Sequence, residues 1–254
     1  MNPVVSVAIP SLNQSNYLQS ALDSLYAQAV PLEICVADGG SVDGTLDILE
    51  ANKNKLYWYQ SKKDRGQSSA INLAASKGTA RYIYWLNSDD EIVQDALTDM
   101  VSYLELNPNV PAVYGKAIYI DDSGKKIGDY FTQIFTKANL SRRCFICQPA
   151  VLIRRSVWED LGGVDESLEM SMDYDFWWRI FLSYGKFGFL DKNLAKSRLH
   201  NETKTSQFKV SHYRESIALV RKHAGSIPWF WSFKMPFALT YDFVKKTINF
   251  GSKA

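Results

Sequence analysis

The first half of the chain alternates short apolar runs with segments whose apolar residues recur at a helical period. The apolar runs, which predict strands, are Val4–Ile9, Leu32–Ala37, Leu56–Gln60 and Tyr82–Leu86. The segments between them, which predict helices, are Tyr17–Gln28, Thr45–Asn52 and Gln67–Lys77. Because strands that alternate with helices are joined by βαβ crossovers, the sequence predicts an α/β fold with a mostly parallel sheet.

Polar clusters follow three of these strands, at the point where each strand ends. They are Pro10-Ser11-Leu12-Asn13, Asp38-Gly39-Gly40-Ser41 and Asn87-Ser88-Asp89-Asp90. In open α/β sheets, ligands bind beyond the carboxyl ends of the strands, where the strand order reverses. The three clusters therefore predict a ligand site at that edge of the sheet.

Two adjacent carboxylates, Asp89 and Asp90, come directly after the apolar strand that ends at Leu86. An unpaired carboxylate is costly to remove from water, so two of them call for a compensating charge. A hard divalent cation that also binds phosphate oxygens supplies such a charge. Alternatively, Asp90 is the N-cap of a helix predicted within Glu91–Met100, which accounts for only one of the two carboxylates.

The second half of the chain is less regular. Ala112–Ile120 and Lys126–Phe131 flank Asp121-Asp122-Ser123-Gly124 and predict a β-hairpin. A further strand and an aromatic helix are predicted over Val151–Arg154 and Asp173–Tyr184. After His200 the pattern becomes helical, basic and aromatic.

Composition is that of a soluble globular protein, with 46% hydrophobic and 22% charged residues. The N-terminus lacks the basic region of a secretory signal, and no run suits a membrane span, so we expect a cytoplasmic protein. Three cysteines give no disulfide framework, and Cys144 and Cys147 are interpreted as packing residues. From Lys204 onward the net charge is +7, whereas the rest of the chain carries −5. The basic part predicts an anionic surface as its partner.

The loop after the second predicted strand, Asp38 to Thr45, contains three glycines. Glycine permits positive φ and a close approach of the backbone to a ligand. A carboxylate at the strand end can accept hydrogen bonds from a base or a ribose, and we favour this role for Asp38. Asp43 is interpreted instead as a turn residue that caps the next helix.

A series of motifs in fixed order carries a family resemblance. They are Ile9-Pro10-Ser11-Leu12-Asn13, the Asp38–Thr45 loop, Asp64-Arg65-Gly66-Gln67 with Asn72, Asn87-Ser88-Asp89-Asp90, Gln148-Pro149-Ala150, and Met172-Asp173-Tyr174-Asp175 before Trp177-Trp178-Arg179. From about Val5 to His200 the chain resembles family 2 glycosyltransferases, which are inverting and use nucleotide sugars. The resemblance implies a GT-A (Rossmann-like), mostly parallel sheet flanked by helices. We expect a catalytic domain over 1–203, divided near 110 into nucleotide and acceptor halves, and a helical extension over 204–254.

The resemblance implies a donor site for a UDP-, GDP- or dTDP-sugar at the first two strand ends and the segments after them. Asp38 would read the nucleobase against the backbone of Pro10–Leu12, and Asp64 and Arg65 would face the nucleotide and its diphosphate. For Arg65 a solvated loop charge is an equal alternative. The donor-binding residues predicted in this way are Pro10, Ser11, Leu12, Asn13, Asp38, Gly39, Asp64, Arg65, Gln67, Asn72, Asn87 and Ser88.

The resemblance also implies a metal site for Mg²⁺ or Mn²⁺. Asp89 matches the last carboxylate of the family's Asp-x-Asp element, and His200 matches a position that can supply another ligand. Asn87 stands where the family often has the first Asp, so it contacts the ribose more plausibly than the metal. Asp90 would support Asp89 or cap the helix, and a structural role for His200 is an equal alternative.

Asp173 is the predicted catalytic base, because glycosyl transfer to a hydroxyl requires removal of its proton. The alternative is that Asp173 caps the following helix, and both roles can coexist. The family commonly has Glu where this chain has Met172, which puts one acceptor contact in doubt. Gln148 and Trp177 are the predicted acceptor contacts. Their alternatives are a polar residue at a strand start and a core aromatic, and Asp175 with Arg179 is predicted to be an ion pair.

The C-terminal segment from Ile227 combines Trp and Phe with Lys, which is typical of an interfacial membrane segment. Such attachment would suit a lipid-linked acceptor. The alternative is an aromatic helix packed on the catalytic domain or on a second copy of the chain. We expect no nucleic acid partner.

The sequence therefore predicts an inverting glycosyltransferase that acts on a glycan or lipid-linked acceptor, with bacterial cell-surface polysaccharide synthesis as the setting that the resemblance implies. The rival is a catalytically silent nucleotide-sugar-binding or scaffolding module, which Asn87 and Met172 favour. The chain has no Gly-x-Ser-x-Gly elbow, no Gly-x-Gly-x-x-Gly after its first strand and no Walker loop. A nucleotidyltransferase is disfavoured because its glycine- and lysine-rich loop is missing.

Overall fold

The computed structural model describes residues 2–200, 209–228 and 231, and its strands form one curved sheet. In chain order the strands are β1 (Val5–Ser11), β2 (Leu32–Asp38), β3 (Trp58–Ser61), β4 (Tyr82–Trp85), β5 (Glu91–Ile92), β6 (Ala112–Ile120), β7 (Lys126–Asp129), β8 (Val151–Arg154) and β9 (Gly188–Arg198). The predicted α/β class is confirmed, and the apolar runs of the first half are all strands.

The strand order is β3-β2-β1-β4-β8-β6-β9-β5, with β7 paired to β6. The pairs β3-β2, β2-β1 and β1-β4 are parallel, as predicted for the first half. In the second half β8 lies antiparallel to both β4 and β6, and only β6 and β9 are parallel. The sheet is therefore mixed. The chain leaves β1 outward through β2 and β3 and returns to β4, so the switch point lies beyond the ends of β1 and β4.

Helices cover the sheet. They are α1 (Leu18–Tyr26), α2 (Thr45–Asn52), α3 (Gln67–Lys77), α4 (Ala96–Leu106), α5 (Lys137–Arg142), α6 (Arg155–Asp160), α7 (Met172–Tyr184) and α8 (Lys209–Ala224). The helix predicted within Glu91–Met100 is wrong at its start, because Glu91 and Ile92 pair with Lys196 and Ala195 of β9. Asp90 is consequently not its N-cap.

Two hydrophobic clusters fill the space between the sheet and the helices. One contains α1, α4 and the side chains of β1, β2 and β4 that face them. The other contains α3, α7 and the opposite face of the sheet, and it is rich in aromatic rings. Leu219 and Val220 of α8 belong to this second cluster, so α8 packs on α7 and extends the core.

The helical pattern predicted after His200 is borne out by α8 within 209–228. No helix among the described residues is both long enough and apolar enough to cross a bilayer. Most of the aromatic C-terminal segment, including its proposed contact with a membrane, lies outside the described residues.

Candidate active site

The loops after β1 and β2 are bound to each other by hydrogen bonds. Asn13, at a positive φ of 53°, accepts the Val42 N–H through Oδ1 (3.0 Å), and its own N–H donates to Ser41 Oγ (2.7 Å). Asp43 accepts the N–H of Ser15 and the N–H and hydroxyl of Thr45. Burial opposes ionisation of Asp43, but these bonds lower its pKa to about 2. The turn role predicted for Asp43 is thus confirmed, and its carboxylate accepts the N–H of the first residue of α2, although the N-cap itself is Gly44.

Asp38 ends β2 with its side chain 2% exposed and its carboxylate fully engaged. Its oxygens accept the N–H groups of Gly40 and Ser41 (3.0 and 2.9 Å) and the hydroxyls of Ser41 and Ser61 (2.5 and 2.6 Å). Asp38 therefore shapes the glycine loop in this state. Its contact with a nucleobase stays a prediction that requires one of these serines to turn aside.

A cleft of about 560 Å³ opens beside Asp38, at the carboxyl ends of β2 and β3. Its lining includes Asp38, Lys62, Asp64, Arg65, Asn72 and Glu166. Gly39 lies between Asp64 and Leu12, since a Cβ there would be 3.2 Å from Asp64 Oδ2 and 3.4 Å from Leu12 Cδ1. Leu12 is 56% exposed, so it offers an apolar surface next to the two carboxylates. This cleft brings together four of the predicted donor residues.

Two predicted donor residues at this cleft are bonded to the segment before α7. Arg65 pairs with Glu166 at 2.6 Å, although its side chain is 82% exposed. Asn72 accepts the Val164 N–H and donates to the Val164 carbonyl and to Glu166. The Asn72 amide is thus occupied by main-chain contacts, which makes it a structural residue here. Arg65 keeps the exposure that a diphosphate contact needs.

Asn87 is the centre of an amide network beyond the end of β4. Its Oδ1 accepts the Gln67 Nε2 group (3.1 Å) and the Trp85 indole N–H (3.0 Å). Its Nδ2 donates to Gln148 Oε1 (3.0 Å) and to Asp90 Oδ2 (3.3 Å). Gln148 in turn donates to the Trp85 carbonyl. The structure therefore joins the predicted donor residues Gln67 and Asn87 to the predicted acceptor residue Gln148.

Asp89 and His200, the two predicted metal ligands, meet although they lie far apart in sequence. His200 Nε2 is 3.1 Å from Asp89 Oδ2, and the His200 ring packs on Tyr17 with centroids 4.8 Å apart. Neighbouring ligands of an octahedral ion at about 2.1 Å from the metal stand roughly 3.0 Å apart, so this separation fits Mg²⁺ or Mn²⁺. No group of three potential ligands occurs among the residues the structure describes. Diphosphate oxygens and water would have to complete the coordination.

Arg198 holds the Asp89 loop against the second half of the protein, and sequence reasoning missed it. The guanidinium, almost fully buried, donates to the Asp89 carbonyl (2.9 Å), the Asp121 carbonyl (2.7 Å) and Glu91 Oε1 (2.6 Å). Its main-chain N–H donates to Asp90. Burial, together with the charge of Asp89, raises the pKa of Asp90. The sequence feature that points to Arg198 is its spacing from His200 in Arg198-Leu199-His200, because residues two apart at the end of a strand lie on the same face of the sheet.

Asp173, the predicted base, is the second residue of α7 rather than its N-cap, which is Ser171. Its Oδ1 accepts the Tyr174 N–H at 2.7 Å. The side chain stays partly exposed, yet burial raises the pKa of Asp173 to about 6. Burial raises the pKa of the Cys147 thiol, and the charges of Asp90 and Asp173 raise it further.

Helix α7 is buried on nearly every side. Trp177 and Trp178 are at most 1% exposed, and Trp177 packs edge-on against Phe187. The interpretation of Trp177 as an acceptor platform is corrected, because a fully buried ring offers no face to a sugar. The predicted ion pair of Asp175 with Arg179 is confirmed at 2.6 Å.

Comparison with known proteins shows which family the chain belongs to. The family model described as "Glycosyl transferase family 2" matches residues 6–162, which is more than half of the chain. The chain belongs to glycosyl transferase family 2. The match includes the β1, β2 and β4 ends described above, and it stops before α7.

Curated relatives of this family 2 member include much longer proteins. A chondroitin synthase of Pasteurella multocida (strain Pm70) is 30% identical over 208 residues, which is 79% of this chain and 21% of that protein. A chondroitin synthase of Escherichia coli is 30% identical over 205 residues, 79% of this chain and 29% of that protein. An uncharacterized glycosyltransferase of Rickettsia typhi is 30% identical over 216 residues, 81% of this chain and 67% of that protein. The chain thus spans less than a third of the synthases it matches.

Solved structures confirm the GT-A fold of this family 2 member. Residues 1–349 of TarS from Staphylococcus aureus, in complex with UDP-GlcNAc, align with a TM-score of 0.70 at 20% identity, covering 87% of this chain and 66% of that one. The mannosyltransferase PcManGT from Pyrobaculum calidifontis, in complex with GDP-Man and Mn²⁺, aligns with a TM-score of 0.67 at 18% identity, covering 94% and 74%.

The family 2 site thus assembled lies at one edge of the sheet. Asp38 and Asp64 line the cleft, and Leu12 lies beside Gly39. Asn87 contacts Gln67 and Gln148, and Asp89 contacts His200. Ser11 and Ser88 are buried, and within the described residues the Ser11 hydroxyl has no hydrogen-bond partner. Pro10 and Ser11 are the last residues of β1.

Proposed function

We propose that the protein is an inverting glycosyltransferase that moves a sugar from a nucleotide diphosphate sugar to a hydroxyl group. The observation that carries this proposal is the position of three polar groups at the ends of strands in a family 2 fold. These are the cleft at Asp38 and Asp64, the amide network of Asn87, and the pair of Asp89 with His200. The sugar-nucleotide complexes of the structural neighbours support the same class of donor.

In this proposal the nucleoside occupies the cleft at the ends of β2 and β3. The apolar face of Leu12 would contact the base, and Asp64 or Asp38 would accept its N–H groups. Lys62 and Arg65, at the rim, would contact the phosphates. Asn87 lies next to Gln67 and Gln148, so its amide network would bind hydroxyl groups of the ribose or of the transferred sugar.

Asp89 and His200 would hold a divalent cation, and their 3.1 Å separation supports this role. When bound, Mg²⁺ or Mn²⁺ neutralises the charge that develops on the departing diphosphate. Arg198 fixes the backbone of Asp89, so the carboxylate is held in place before the donor arrives.

Asp173 would act as the general base. Its carboxylate takes the proton of the acceptor hydroxyl while the hydroxyl oxygen forms a bond to the anomeric carbon. The bond from that carbon to the diphosphate breaks on the opposite side, which inverts the configuration. A pKa of about 6 suits this task, because the carboxylate is ionised at neutral pH yet remains a useful proton acceptor.

The setting that we propose is synthesis of a bacterial cell-surface polysaccharide or glycan, with a glycan or lipid-linked acceptor. The chondroitin synthases among the relatives support a polysaccharide product. We also propose the division into a catalytic part (1–203) and an extension (204–254) that binds anionic membranes. If protein truncated after Ser226, which keeps α8, and full-length protein sediment equally with anionic liposomes, that attachment is refuted.

The test replaces the base and measures binding and turnover separately. Asp173→Asn should bind a UDP- or GDP-sugar with Mn²⁺ as the unmodified protein does in calorimetry, yet lose transfer by about 10³-fold or more. Asp160→Asn is the matched control and should transfer normally, because Asp160 is exposed and, within the described residues, its carboxylate accepts a hydrogen bond only from Tyr184. NMR of the product should show the opposite anomeric configuration to the donor.

Two outcomes would contradict the proposal. Retained configuration would exclude a single displacement with Asp173 as base. Unmodified protein that binds a nucleotide sugar but never releases the nucleotide, with any acceptor or with water, would instead identify the silent binding module.

A further inference from the structure

Arg142 and Arg143, at the end of α5, stand apart from the other arginines of residues 2–200. Six arginines there bond a carboxylate or a main-chain carbonyl through their guanidinium groups. They are Arg65, Arg81, Arg154, Arg155, Arg179 and Arg198. Arg142 and Arg143 are exposed, and within the described residues no carboxylate or carbonyl accepts from either guanidinium. Two adjacent positive charges are therefore left available to an external anion.

These arginines lie at the end of α5, which is bonded to the start of α7, the helix that carries the proposed base. The hydroxyl of Tyr174, the residue after Asp173, donates to the carbonyl of Leu140 in α5 and so binds α5 to the start of α7. Burial raises the pKa of the Cys144 thiol; the charge of Asp173 raises it further, and the charge of Arg143 opposes the rise. Both side chains thus act on the same sulfur, which follows Arg143 directly in the chain.

An exposed aromatic ring contacts Arg143, and an exposed apolar side chain lies on the same segment of the chain. The Arg143 guanidinium lies 4.8 Å above the ring centroid of Phe131, which is 49% exposed, and Ile134 nearby is 71% exposed. Behind Phe131, the rings of Tyr119 and Tyr130 pack with centroids 5.4 Å apart. Aromatic rings offer a large rigid contact face. The segment from Phe131 to Arg143 therefore combines such a face with two adjacent guanidinium groups.

We propose that Arg142 and Arg143 bind a negatively charged group, a carboxylate or a phosphate, on the acceptor glycan. The proposal rests on the proposed function and names the class of acceptor. Guanidinium groups match carboxylate and phosphate oxygens in paired hydrogen bonds, and a lysine offers only a point charge. The contact orients the acceptor so that its hydroxyl reaches Asp173, while Phe131 packs on an adjacent sugar ring.

The test measures acceptor binding directly, in the presence of nucleoside diphosphate and Mn²⁺. The probes are an oligosaccharide that contains a hexuronate with its carboxyl-reduced counterpart, and a sugar phosphate oligomer with its dephosphorylated counterpart. In calorimetry or saturation-transfer NMR, at least one charged member should bind about tenfold or more tighter than its neutral counterpart. The double variant Arg142→Gln/Arg143→Gln should bring this preference below about twofold, and the double Lys variant should restore part of it.

Arg81→Gln is the matched control, because Arg81 is an exposed arginine that precedes β4, at the end of that strand opposite to Asn87 and Asp89. It should leave the preference unchanged. Equal binding of charged and neutral members, binding of neither, or an equal loss in Arg81→Gln would overturn the proposal. The proposal would also be overturned if the protein binds anionic liposomes through these two arginines, so that the double variant no longer binds them, but binds neither charged oligosaccharide. Nucleotide release from a nucleotide sugar, measured in separate reactions with the same protein variants, reports whether the proposed transferase activity holds.

Discussion

Glu215 of α8 is the side chain whose removal should most clearly disturb the start of α7. Its carboxylate accepts the N–H groups of Glu169 (3.3 Å), Met170 (3.0 Å) and Ser171 (3.0 Å). Ser171 is the N-cap of α7 and precedes Asp173 by two residues. Glu215 therefore fixes the backbone from which the proposed base projects. Sequence reasoning missed this residue, since nothing local to 215 indicates a partner more than 40 positions away.

The cost of Glu215→Ala follows from the exposure of the three donors. Ser171 is fully buried, so its N–H would lose its acceptor at a cost of about 2 kcal/mol. Met170 is partly exposed, so we expect about 1 kcal/mol there, whereas water can replace the bond to the exposed Glu169. The total is about 3 kcal/mol of unfolding free energy. Glu215→Gln keeps one acceptor oxygen and should lose about half as much.

Urea unfolding followed by tryptophan fluorescence measures this loss, and hydrogen exchange at the Ser171 amide locates it. Glu159→Ala is the control. Glu159 is exposed, its one ion pair within the described residues is a 3.4 Å contact with Arg155, and its loss should change stability by about 0.5 kcal/mol or less. A loss below about 0.5 kcal/mol in Glu215→Ala, or unchanged exchange at Ser171, would refute the reasoning.

Three further predictions concern carboxylates. Asp173, with its pKa of about 6, must be ionised to accept a proton. In a pH–rate profile, kcat/KM should therefore fall about tenfold per pH unit below pH 6, and a flat profile would exclude Asp173 as the base. Asp89→Asn should abolish the Mn²⁺-dependent part of nucleotide affinity in a thermal-shift titration, and an undiminished Mn²⁺ effect excludes the site. Burial opposes ionisation of Asp175, but its bonds to His223 and Arg179 lower its pKa from 3.8 to about 2. The ionised carboxylate should therefore contribute about 2 kcal/mol to the free energy of unfolding above pH 4, and this contribution should disappear as the pH falls towards 2. Asp175→Asn should remove that dependence from acid unfolding curves.

The parallel half of the fold could be predicted because its strands are continuous apolar runs separated by helical periods. Thr45–Asn52 and Gln67–Lys77 are helices with the predicted bounds, and the hairpin turn closes through the bond from the Gly124 N–H to the Asp121 carbonyl. In each case the signal is local, within about a dozen residues.

Elements fixed by distant partners could not be predicted in this way. Glu91 and Ile92 form a strand only because β9, about a hundred residues later, pairs with them. The helical pattern alone does not show whether Trp177 faces solvent, where it could contact an acceptor sugar, or the core. It is buried because α7 lies between the sheet and α8. Asn72 belongs to a motif that predicts donor binding, yet its side-chain amide is hydrogen-bonded to the backbone of Val164. The position of Val164, more than 90 residues later, depends on the whole fold.

The pair of Asp89 and His200 bridges the two halves of the sheet, since one follows β4 and the other follows β9. An ion at this pair would thus cross-link segments more than a hundred residues apart. Its binding energy would oppose their separation, so cation and nucleotide together should make thermal unfolding of the two halves more concerted. Chelation would then loosen the whole enzyme as well as stopping turnover.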